Sequence, residues 1–217
     1  MFGVTTPAVD KIREYLETNH KIECYVFHQT GTGGKAMERL VTEGGLDAVC
    51  DLTTTELCDH HCGGVMDSGP HRLEAALKAG IPYIISCGAL DMCNFGPKTT
   101  VPEKYQQRKL YEHNPTVTLM RVDAEESLAI GEFIVEKVKG CTKDKSKVQV
   151  VLPLGGVSII ATSGAPFHDS SADEALFSAL RSGLSGSGVE LVEDERAINE
   201  EGFAVDVAKR LVKLMEL

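Results

Sequence analysis

HRLEAALKAGIPYIISCG, His71 to Gly88, carries the unit on which the fold turns. HRLEAALKAG reads as a helix that Gly80 ends, because glycine takes the left-handed position after a helix without a Cβ clash. PYIISCG then reads as a strand. Its YIIS stretch is apolar nearly throughout, as is AVCDL (48–52) and as is QVVLPL (149–154). Such runs belong to parallel strands covered on both faces.

Working outward, the same alternation repeats. Met1–Thr6 reads as a first strand, and Pro7 suits a helix start, PAVDKIREYLET, with Val9, Ile12, Tyr15 and Leu16 on one face. ECYVFHQ (23–29) is a second strand, followed by GTGG and a short helix through Glu43. GLDAVCDLTT is a third strand and PYIISCG a fourth. TVTLMRV (116–122) is a fifth, with Asp123 as N-cap of AEESLAIGEFIVEKVKG. VQVVLPL is a sixth strand, SADEALFSALRSGL a helix, GVELVED a last strand, and EEGFAVDVAKRLVKLMEL the closing helix. Strands alternating with helices imply βαβ units. The expected fold is therefore one α/β domain over residues 1–217, a doubly wound, mostly parallel, Rossmann-like sheet with helices on both faces.

Composition sets the bounds. The 217 residues carry a net charge of -10, which argues against non-specific binding to nucleic acid or an anionic membrane. No apolar run reaches the ~18 residues of a membrane span. MFGVTTPAVD has no basic segment followed by an apolar one, so no signal peptide is read there. Seven cysteines, odd in number and without framework spacing, fit reduced thiols in a cytoplasmic protein.

In open parallel sheets, ligands bind beyond the carboxyl ends of the strands. Residues there include His28, Thr30, Thr53, Thr54, Thr55, Glu56, Gly88, Asp91, Asn94 and Ser158. Gly31-Thr32-Gly33-Gly34 lies where a helix start presents free amides, and Lys35 adds a point charge, so this turn is a candidate anion cradle. It fails the Walker A pattern twice, with Gln29 at the first glycine position and Ala36 at the Ser/Thr position. Gly31, Gly33 and Ala36 fit G-x-G-x-x-[GA], with Asp51 20 residues on, which leaves a dinucleotide-binding oxidoreductase lobe as an alternative. A purely structural corner is the third possibility.

In DLTTTEL the hydroxyls of Thr53, Thr54 and Thr55 either line a ligand cleft or cap the next helix, with Glu56 closing a capping box. Glu56 and Asp91 are the candidate proton carriers. CDHHC (58–62) resembles a metal cluster at first sight, but no second Cys/His pair accompanies it, so no metal site is expected. Cys87 is a candidate nucleophile that reads better as a small buried thiol. His113 and His168 read as loop histidines, and no G-x-S-x-G elbow is present.

VFHQTGTGGKAME, DLTTTEL, GGVMDSGPHRLEAA, GALDMCNFGPKTTVPE, HNPTVTLMR, LPLGGVS and PFHDSSAD together resemble the Tm-one-like ATP-binding family, in order and over essentially the whole chain. The family comprises the inhibitory domain of a plant tobamovirus-resistance protein and uncharacterised microbial relatives. Its members are similar in having two α/β lobes, of which this sequence resembles the second. The resemblance implies ATP as a possible ligand, contacted through Gly31, Gly33, Gly34 and Lys35 with Thr53 to Glu56 lining the cleft. It also implies a lobe of a metabolic enzyme acting on a small anion, or a non-catalytic, nucleotide-regulated module that binds protein, as the plant member binds a viral replication protein. CDHHC departs from the family pattern, which is less rich in Cys and His there. A lobe without its partner is expected to form a homodimer.

Overall fold

The computed structural model describes residues 1–217 and holds two sheets. The larger is parallel, with β1 (Val49–Thr53), β2 (Tyr83–Gly88), β6 (Val148–Pro153) and β7 (Glu190–Asp194) in the order β1-β2-β6-β7. Val49 pairs with Tyr83, Ile85 with Val150 and Val151 with Val192. The smaller sheet is antiparallel. It contains β3 (Met92–Phe95), β4 (Leu110–Asn114) and β5 (Val117–Arg121), in the order β3-β5-β4.

Helices cover both faces of the parallel sheet, as the near-continuous apolar strands require. On one face, α1 (Thr6–His20) and α7 (Glu201–Leu214) pack Ala8, Ile12, Leu16, Phe203 and Val207 on Leu52, Ile84 and Val151. The other face carries α2 (Thr32–Thr42), α3 (Glu56–Cys62), α4 (Glu74–Ala79), α5 (Ala124–Cys141) and α6 (Ser170–Leu184). Their side chains meet Val49, Tyr83, Ile85, Val150 and Leu152. Alternate strand residues thus feed opposite layers, the period-two geometry of a strand. The fold class is the one expected. Gly80 ends α4 in the left-handed region, φ 72°, and Asp123 caps α5 in a reciprocal pair with Glu126.

Three expected strands differ. Met1–Thr6 is not a strand. Thr5 Oγ1 accepts the Phe2 amide at 3.2 Å, a 3-10 turn forms over Gly3–Thr5, and Pro7 lies in the first turn of α1. Glu23–Gln29 forms no ladder with β1. Its main-chain bonds to another segment go to Met1, whose nitrogen donates to Phe27 O while Gln29 N donates to Met1 O, each at 2.8 Å. Thr116–Val122 does contain a strand, β5, but it belongs to the small sheet. Asn114 Oδ1 takes the Thr116 amide at 2.9 Å, closing a hairpin that folds β5 back on β4.

The small sheet lies across the carboxyl ends of the parallel strands. Thr55 Oγ1 donates to Met92 O at 3.3 Å. Met92 and Leu119 pack with Phe2, Val4, Ala89 and Phe167 in a separate apolar cluster. A flap therefore seals part of the rim where ligands of such sheets bind. No helix is long and apolar enough to cross a membrane.

Candidate functional site

The turn Gly31–Gly34 opens α2 at the rim, and its inner donors are already engaged. Glu56 Oε1 accepts the Gly31 amide at 2.6 Å and the Gly34 amide at 3.1 Å. The glycines have steric reasons to be there. A Cβ on Gly34 would lie 2.0 Å from Glu56 Oε2, one on Gly33 1.8 Å from His28 O, and Gly31 has φ +86°. The first-turn amides of Thr32 and Gly33 precede any helical acceptor and make no hydrogen bond within the protein. Lys35 is exposed and forms no ion pair, and Thr30 and His28 stand beside the turn.

Beneath Glu56 is Arg72, which is fully buried. It binds Asp51 through both terminal nitrogens at 2.5 and 2.7 Å, and Glu56 through Nε at 2.9 Å. Tyr83 Oη donates to Asp51 at 2.9 Å, and Glu38, which takes the amides of Leu73 and Ala75, adds a longer contact to Arg72 at 3.3 Å. Burial pushes Glu38 up from the ordinary carboxylate range, with Arg72 pulling the other way. One guanidinium thus ties β1, α2, α3 and the Gly69–Leu73 loop into a single polar knot. Planar, bidentate pairing is what Arg supplies and Lys does not.

The other candidates are brought near the same edge but are closed off. Thr53 Oγ1 meets Thr5 Oγ1 at 2.8 Å, Thr54 Oγ1 donates to Ser86 O at 2.8 Å, and all three threonines are buried. Gly88 packs backbone to backbone, since a Cβ there would lie 2.2 Å from Leu52 O. Asn94 Nδ2 donates to Asp59 at 2.7 Å. Asp91 accepts from Ser158 Oγ at 2.8 Å, and its second oxygen has no partner. Burial raises its carboxyl to about 6, against the pull of Arg121. Glu56 and Asp91 are both 0% exposed, so neither reaches an open surface as it stands. Asp51 is spent on Arg72, which removes the free acid that a ribose-binding dinucleotide turn requires.

Cys58 and Cys62 share the buried face of α3, while His61 is exposed and His60 pairs with Asp67 at 3.0 Å. Buried Cys87 has its thiol pushed up by desolvation, away from nucleophile chemistry. His113 and His168 are exposed, on β4 and before α6. Two important residues were not picked out from the sequence, Arg72 and Asp59. Asp59 accepts the amides of Met66 and Asn94 at 3.1 and 3.2 Å, and burial raises it to about 7. Arg72 had one available signal: Asp51 and Glu56 lie in apolar strand and helix-start contexts, and buried acids need a cation.

These features define a doubly wound α/β lobe whose parallel sheet is capped at its carboxyl rim by an antiparallel flap and whose glycine turn is locked by a buried acid. The chain belongs to the family described as "Uncharacterised protein family (UPF0261) C-terminal domain", matched over residues 1–215. It is 49% identical over 216 residues to a UPF0261 protein of Clostridium tetani, covering 100% of this chain and 52% of that protein. It is 47% identical over 205 residues to one of Rhizobium meliloti, covering 94% and 50%. It is also 47% identical over 181 residues to the ToMV resistance protein Tm-1 of Solanum lycopersicum, covering 83% and 24%. The chain thus spans about half the length of the microbial relatives. The resemblance to the plant resistance protein and its microbial relatives, through their carboxyl-terminal lobe, holds.

Proposed function

We propose that this lobe binds a small anion or an ATP-like nucleotide at the outer side of the α2 start, as one half of an enzyme of small-molecule metabolism. The observation that carries this is the division of labour in the turn: Glu56 holds the Gly31 and Gly34 amides, leaving those of Thr32 and Gly33 preset beside exposed, unpaired Lys35. Preset donors cost little to reorganise when a ligand arrives. Because Glu56 and Asp51 already place negative charge behind the turn, the positive charge for an anion must come chiefly from Lys35. Val65 and Ile159, 65% and 55% exposed near this rim, suit contact with a second lobe, from the upstream half in the longer relatives or from a second copy in a homodimer. Seven free thiols suit the reducing cytoplasm.

A melting-shift screen of ATP, inorganic phosphate and small carboxylates tests the proposal. A ligand at about 100 times its Kd stabilises by roughly 2.7 kcal/mol, and Lys35→Ala is expected to abolish most of that shift without lowering the unliganded melting temperature. An undiminished shift in the variant contradicts the site. A second role, as a non-catalytic binding module, is favoured by one observation: the two candidate proton carriers are buried. Binding without turnover in the same screen selects it, and it accords with a relative named for virus resistance.

A further inference from the structure

A cavity of about 480 Å³ separates the edge of β1 from the segment Glu23–Gln29. Its walls come from both helical layers, with Ile12 and Leu16 on the α1 side and Met37 on the α2 side. The segment itself is dressed as a strand between those layers. Cys24 packs against the α1 layer and Phe27, an odd number of residues later, against the α2 layer. Yet it has no ladder along Glu23–Val26, and β1 pairs on one side only, with β2. The β1 residues whose main chain alternates away from β2, Cys50 and Leu52, turn unpaired groups to the cavity.

Met1 marks how the cavity is filled. Its nitrogen donates to Phe27 O and its carbonyl accepts from Gln29 N, each at 2.8 Å. That is the two-bond pattern of a parallel bridge between Met1 and His28. We infer that the cavity is the seat of one more parallel β-strand, supplied by the polypeptide that enters position 1 from the upstream half present in the longer relatives. In those relatives about half the chain lies outside the region matched here, and the matched region is the carboxyl-terminal domain.

Handedness supports the same occupant independently. The connections β1 to β2, β2 to β6 and β6 to β7 run across the sheet in one direction, with α3 to α6 on one face. A right-handed connection running the opposite way must place its helix on the other face. α1, which connects position 1 to Glu23–Gln29, lies on that other face with α7. α2, which returns from Glu23–Gln29 to β1, is back on the first face. The completed order is Glu23–Gln29, inserted strand, β1, β2, β6, β7. The sheet order then reverses between the inserted strand and β1, delivering Phe2–Thr6 to the crevice where doubly wound sheets bind ligands.

Hydrogen exchange tests the inference on this chain and on the same chain extended at Met1 by the eight residues that precede the matched region in the Clostridium tetani relative. The amides of Tyr25, Phe27, Cys50 and Leu52 are expected to slow at least 100-fold on extension, and those of β7 to stay unchanged. A second extended chain with proline at two alternate added positions is expected to lose that protection, because proline removes ladder donors. Equal exchange at the four amides with and without the natural extension overturns the inference, as does equal protection by the proline-bearing extension.

Discussion

Glu56 sits directly on Gly34, its Oε1 accepting the Gly34 amide at 3.1 Å while Oε2 occupies the space a Cβ would need. A buried carboxylate here performs the capping that a side chain at the N-cap normally performs, and does it from another helix. The consequence is that a glycine turn resembling an anion cradle is half filled by the protein itself.

Gly34→Ala is therefore expected to destabilise, by about 1–3 kcal/mol as for overpacked interiors, although alanine is the better helix former by ~1 kcal/mol. Gly140→Ala, at a helical position with nothing within 4 Å, is the control and is expected to be neutral or stabilising. Urea denaturation of the two variants checks both signs.

Arg72→Met removes the only cation that forms an ion pair with buried Asp51 and Glu56. Breaking a buried pair from one side costs about 3–5 kcal/mol. Arg72→Lys is expected to recover only part of this, since an ammonium cannot hold Asp51 through two nitrogens and Glu56 through a third. Equal stability of the wild type and Arg72→Lys in chemical denaturation would show that the fork geometry is not needed.

Asp91 and Asp59 are raised, to about 6 and about 7, chiefly by burial. The folded state holds these protons more tightly than the unfolded chain. Their stabilising contribution is thus complete below the unfolded value near 4 and is lost as pH rises through the folded values. Asp91→Asn keeps an acceptor for Ser158 but cannot ionise. Its melting temperature relative to wild type should rise between pH 4 and pH 7, with a free-energy change of up to a few kcal/mol at ~1.4 kcal/mol per pKa unit. Asp59→Asn should show the same sign, continuing to higher pH. A difference independent of pH would mean that these carboxyls hold their protons no more tightly in the fold than in the unfolded chain.

The parallel core was legible because Tyr83–Gly88 and Val148–Pro153 lie between two apolar layers and read as continuous apolar runs. The flap was hidden for the opposite reason. LYEHN forms β4 on an exposed edge, where polar residues carry no alternation, and MCNF is only four residues long. Thr53, Thr54 and Thr55 lie at the carboxyl edge as expected, but sequence does not reveal that β3 lies against Thr55 or that Thr5 and Ser86 engage the other two. Arg72 reaches Glu56, Asp51 and Glu38 across 16, 21 and 34 positions of sequence, and no local spacing announces such contacts. Glu23–Gln29 has strand composition without a ladder because composition reports the layers above and below, while pairing depends on the neighbour in the sheet.

The outer face of the α2 start is tested most directly by following backbone amide shifts during a titration with ATP, and in parallel with inorganic phosphate. The largest movements are expected at Thr32 and Gly33, with Gly31 and Gly34 held nearly still by Glu56, and with the response lost in Lys35→Ala. Saturable shifts centred elsewhere on the lobe, with Thr32 and Gly33 unmoved, would contradict the site.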